Sequence, residues 1–122
     1  TMKHSTIIQV LEKALQKAQQ GQPLGSFNNC VLNCTRFTKL DKIMNKFYFR
    51  INDDMTMYFI QYYEEATLNY YISFIKDDIE VDYYQLQETD NNFNEIDHLF
   101  EKLQQIKEDQ LDKLLGDFLN EC

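Results

Sequence analysis

An α+β fold is predicted: a two-layer α/β sandwich with an N-terminal helix, an antiparallel meander of four or five strands, and a C-terminal helix or two short helices. Three observations predict it. Apolar residues recur at helical spacing near both ends of the chain. Across the middle they alternate with a period of two. The breaks between those alternating runs are only a few residues long, and a parallel crossover needs about a dozen.

The first helix is expected from Thr6, with Gln9 as the capping-box partner and Ile7, Ile8, Leu11, Ala14, Leu15 and Ala18 on one face. Gly21 followed by Pro23 is a stop signal, a left-handed cap and then a residue that cannot continue the helix. Its other face carries Lys13, Gln16, Lys17 and Gln20, and packing on a sheet is expected rather than membrane binding, since large aromatics are missing.

Strands are expected at residues 43–51, 55–63, 67–75 and 79–86, rich in Tyr, Ile, Phe, Val and Thr. Residues 30–37 alternate loosely and are a candidate fifth. Short acidic breaks, NDD, EEA and KDD, separate the later four, as hairpin turns would. Alternation places Leu68, Tyr70, Ile72 and Phe74 toward the core, along with Met57, Phe59 and Tyr63, and then Ile79, Val81 and Tyr83.

The last segment has Asn92 as N-cap with Glu95 three positions on. Phe93, Ile96, Leu99, Phe100, Leu103 and Ile106 make one apolar face. A second set, Leu111, Leu114, Leu115, Phe118 and Leu119, is rotated from it by roughly 80° on a straight helix. A break or bend near Asp109 is the expectation, with the final turns against a partner or the first helix.

Residues 1–122 read as a single domain, 43% hydrophobic and long enough for a packed core. No apolar run approaches the ~20 residues of a membrane span, and Gln9, Glu12 and Lys13 interrupt the only segment placed like a signal peptide. Met2 reads as the natural start, and a cytoplasmic location is expected. Three cysteines, Cys30, Cys34 and Cys122, fit no closed disulfide framework. His4 and His98 lie far from them in sequence, so no metal site and no cofactor are expected. The acid pairs Asp53-Asp54, Glu64-Glu65 and Asp77-Asp78 sit in turns, and no nucleophile has a readable base beside it, so the chain is not expected to be an enzyme.

Charge is divided steeply along the chain. Residues 1–51 carry eight Lys/Arg against Glu12 and Asp41, a balance of +6. Residues 52–97 carry twelve acids against Lys76, or −11, and residues 98–122 carry −3. Direct nucleic-acid binding needs clustered cations and is not expected; a basic protein partner is. The predicted contact face is the outer side of the sheet: Tyr58, Tyr62, Tyr71, Glu80, Asp82 and Tyr84 with the Asp77-Asp78 turn. Tyrosine is a common interface anchor, large, rigid and polar at its tip.

These features point to a small acidic inhibitor, of the immunity-protein, antitoxin or phage type, filling the basic cleft of a toxin or nuclease-like enzyme. The alternatives are a homodimeric secretion-type chaperone, using residues 109–122 to dimerise, or a module holding a small ligand. Secretion chaperones, cystatin-like folds and immunity proteins share the helix–sheet–helix outline, an analogy of fold alone. Both a monomer and a homodimer fit the sequence.

Overall fold

The computed structural model describes residues 3–121. Helix α1 (His4–Gln19) leads into a long connection with two short 3-10 turns, Asn29–Cys34 and Leu40–Lys42. Strands β1 (Ile43–Arg50), β2 (Met55–Glu64), β3 (Thr67–Lys76) and β4 (Ile79–Gln87) follow, and then helix α2 (Phe93–Leu119). The sheet has the order β1-β2-β3-β4 and every neighbouring pair is antiparallel, so the α+β meander stands as predicted.

Helix α1 buries Ile7, Leu11, Ala14, Leu15 and Ala18 against the sheet. It starts before the expected capping residue: the Lys3 carbonyl accepts from the Thr6 and Ile7 amides, so Thr6 lies inside the helix and caps nothing. The stop is as expected. Gly21 takes φ +106, and the Gln22 amide donates back to the Lys17 carbonyl. The β2–β3 and β3–β4 turns both use two residues at positive φ, Glu65-Ala66 and Asp77-Asp78, the backbone that matches strand twist.

On the helix side, Phe47, Phe59, Phe100, Tyr70 and Phe93 form a chain of rings with neighbouring centroids 4.9–5.4 Å apart. Leu11, Ile72, Phe74, Ile96 and Leu103 complete this buried layer, and Leu68 is half-buried at its margin. Tyr63, expected inward, shares the face of Phe59 but stands 43% exposed.

The opposite face of the sheet is not solvated. Residues 26–42 fold back over it, and Phe27, Leu32 and Phe37 bury Ile60, Tyr62 and Tyr71 in a second apolar cluster. The candidate fifth strand at 30–37 is therefore part of this cover, mainly as a 3-10 turn. At its near end Gly25 exchanges both backbone hydrogen bonds with Tyr48 and closes the free edge of β1. A Cβ there would lie 2.2 Å from the Tyr48 ring, so glycine lets that ring lie directly over the backbone, and a larger residue would have to displace it.

Two sequence expectations fail on register and continuity. A bulge pairs Phe74 with Asp82 but Ile75 with Glu80, leaving Val81 as the extra residue. Tyr84 and Leu86 thus face the helices and Tyr83 the cover, while Ile79 and Val81, expected in the core, are 64% and 50% exposed. Helix α2 does not break near Asp109. It runs unbroken for 27 residues, about 40 Å.

Two buried phenols make the fold sensitive to high pH. Tyr70 is fully buried; its hydroxyl donates to Asp97 and accepts from Gln61 Nε2 at 3.0 Å. Burial, then the Asp97 carboxylate, raises its pKa well above the ordinary phenol value. Tyr71 is raised in the same way by burial and then by Glu80. Above pH ~10 the unfolded chain loses these protons first. The stability they give is complete below that pH and lost as pH rises above it. Each phenol should contribute a slope of about 1.4 kcal/mol per pH unit. Thermal melts between pH 9 and 11 should show a steep fall that Tyr70→Phe makes shallower; an unchanged slope in that variant would refute the assignment.

Candidate functional site

The eight predicted contact residues do not form one open face. Tyr62 and Tyr71 are buried under Phe37, with ring centroids at 4.9 and 5.3 Å. Tyr58 is half-buried edge-on beneath Phe27 at 4.7 Å. Burial raises the pKa of Tyr58 and of Tyr62. Tyr84 lies on the helix side of the sheet, where its hydroxyl shares a 2.7 Å hydrogen bond with His4 Nδ1. Glu80 is turned inward: one carboxylate oxygen accepts from the Tyr71 hydroxyl and the Ser73 hydroxyl, each at 2.7 Å. Asp82 accepts from the Tyr83 amide at 2.8 Å. Only Asp77 and Asp78 are fully exposed.

What the meander does assemble is an acidic end. Antiparallel pairing of Met55 with Lys76 sets the β1–β2 turn, with Asp53 and Asp54, beside the β3–β4 turn, with Asp77 and Asp78. All four aspartates are exposed. Asn52 Oδ1 shapes the first turn by accepting from the Asp54 and Met55 amides at 2.8 and 2.9 Å. Arg50 points into that turn, donating to the Asn52 and Asp53 carbonyls. Directly after the second turn come the exposed Ile79 and Val81, on the outermost strand of the sheet. Among the described residues, no further strand pairs with the outer edge of β4. An apolar pair on an unpaired edge, flanked by four carboxylates, suits an extended or basic segment of another protein.

Two other arrangements were missed in the sequence. His4 lies between Tyr84 and Glu95, but Glu95 is 3.9 Å from its Nε2, beyond hydrogen-bonding distance. Burial raises the Tyr84 pKa, the opposite of what an activated nucleophile requires. A groove of about 460 Å³ runs between the exposed sides of α1 and α2, bounded by Ile8, Leu15, His98, Leu99 and Lys102. Cys30 and Cys34 are free thiols on the cover, and Cys122 lies outside the described residues. Among the described residues, no group of His, Cys, Asp and Glu is placed to hold a metal, and no helix is long and apolar enough to cross a membrane.

Comparison with known proteins adds no neighbour to this picture: no family model matches the chain, and neither a curated protein nor a solved structure does.

Proposed function

We propose that the protein acts by binding a basic protein at the acidic end of its sheet, as a small inhibitor that blocks a cationic cleft such as that of a toxin or a nucleic-acid-acting enzyme. One observation carries the reading: four exposed carboxylates in two adjacent turns border Ile79 and Val81 on the open edge of β4. The charges steer a cationic partner, and the apolar pair with the free backbone edge holds it. The surface differs from the one expected in the sequence because Tyr58, Tyr62 and Tyr71 are covered by residues 26–42 and Tyr84 faces the helices.

The test begins with affinity capture from the native cell and continues with binding kinetics on the purified partner. Asp53, Asp54, Asp77 and Asp78 changed together to asparagine retain the turn chemistry and the tolerance of positive φ. That variant should associate about tenfold more slowly at low salt, with the difference shrinking as salt rises. Ile79→Ser with Val81→Ser should instead hasten dissociation. Association as fast as the parent's would remove this surface from the function.

A further inference from the structure

Beyond Gln110, helix α2 leaves the body of the protein. Gln110 makes the last side-chain hydrogen bonds to the body, its Oε1 accepting from the Leu24 amide at 3.0 Å and its Nε2 donating to the Gln22 carbonyl at 2.9 Å. Past that clamp, Leu111, Leu114, Leu115, Phe118 and Leu119 are each more than half exposed. At 100° per residue they fall at steps of about 20–40° in the order Leu114, Phe118, Leu111, Leu115, Leu119, one stripe about 140° wide. Five large apolar side chains gathered on one helix face form a patch of the kind that marks an interaction surface. The stripe continues into a groove of about 380 Å³ where Leu111 and Leu114 approach Leu24.

The edges of the stripe say what covers it. Glu108 and Asp112 lie along one edge, Asp117 along the other with Glu121 just past the helix end, and Lys113 is on the far side. Lys107, at the body end, is turned away to donate to the Lys46 carbonyl at 3.0 Å. A second copy would match the apolar residues well, Leu111 against Phe118 and Leu114 against Leu115. Yet in either orientation it would set acids against acids along both edges, and like charges facing one another oppose association. An anionic lipid surface is disfavoured for the same reason, since interfacial helices carry Lys and Arg beside their apolar face.

We propose that the last three turns of α2 are a docking site for a basic amphipathic helix of another protein, with leucine-type residues along one stripe and Lys or Arg on both sides of it. The site does not depend on the β4 surface. Helix α2 starts just after β4 and by Lys107 has crossed to β1, so the stripe is carried past the β1 edge of the sheet, whereas Ile79 and Val81 lie on the opposite edge strand, β4.

The experiment uses the full chain and two synthetic helical peptides about three heptads long, with the same leucine stripe, one edged with lysine and the other with glutamate. The lysine peptide should bind at least about tenfold tighter than the glutamate peptide at low salt. Leu114→Asp with Phe118→Asp should abolish that binding, although two added negative charges would strengthen a contact made by charge alone. Asp112→Lys with Asp117→Lys should reverse the peptide preference. Equal binding of the two peptides, or binding that survives Leu114→Asp with Phe118→Asp, would overturn the proposal. So would a dimer in sedimentation that this double variant makes monomeric, or adsorption of the parent chain to anionic vesicles.

Discussion

Phe59→Ala is expected to destabilise the protein by about 3–5 kcal/mol, the largest effect of any single truncation in the sheet. Phe59 is fully buried and sits at the junction of three rings, with centroids 5.3 Å from Phe47, 4.9 Å from Phe100 and 5.5 Å from Tyr70. Removing it opens a cavity bounded by strand on one side and α2 on the other, and the neighbouring rings are too stiff to fill it. Aromatic pairs add roughly 0.5–1.5 kcal/mol each beyond their buried area, so the loss belongs at the upper end of the range. For a domain of this size a midpoint fall of roughly 12–20 °C follows. A natural domain holds only about 5–15 kcal/mol in total, so the variant should be partly unfolded near body temperature. A melt shifted by only a few degrees would mean that this ring cluster is not the centre of the core.

Elements whose identity depends on local chemistry were legible in the sequence. All four strands lie within one or two residues of their expected limits, because alternation and acidic turns define both ends. The faces of β2 and β3 were legible too: Met57 and Phe59, and Leu68, Tyr70, Ile72 and Phe74, all face the helices. The β4 face was not, since one extra residue at Val81 reverses every side chain beyond it and a bulge leaves no mark in the pattern. The rotation of the α2 stripe was visible, but a straight helix with an uncovered end gives the same rotation as a broken one.

The candidate site suffered most, because what hides the outer tyrosines is a segment with no helical period and only a loose alternation at residues 30–37. Phe27, Leu32 and Phe37 are spaced five apart in a connection that is neither helix nor strand. A signal existed on the sheet itself. The outward residues of β2 and β3 include Ile60 and Ile75 beside the tyrosines, nearly as apolar as the inward set, and strands buried on both faces read that way.

Phe37→Ala should therefore separate the cover from the sheet. Phe37 is 6% exposed and holds down both Tyr62 and Tyr71, and its loss should cost about 3 kcal/mol, the low end for a buried phenylalanine. The low end applies because residues 26–42 are one chain thick and can settle, whereas the ring cluster under α2 cannot. The other ties of the cover are small and scattered: the buried Leu32, Arg36 over the Tyr83 ring, Phe27 edge-on to Tyr58, Lys46 Nζ donating to Asn29 Oδ1 at 2.7 Å, the Lys39–Glu64 ion pair, and the Gly25–Tyr48 backbone pair at its near end. A layer held this way opens as a unit below the global unfolding free energy. Amides of residues 30–42 should then exchange with solvent far faster than in the parent, while those at the centres of β2 and β3 change only by the global loss. The phenol of Tyr71 reports the same event independently. Burial is the first cause of its raised pKa, so uncovering it should return the titration toward the ordinary phenol range, where ultraviolet absorbance follows it. If β2 and β3 amides lose protection in step with the cover, or Tyr71 still titrates as in the parent, the cover and the sheet are one cooperative unit, and Phe37 is an ordinary core residue.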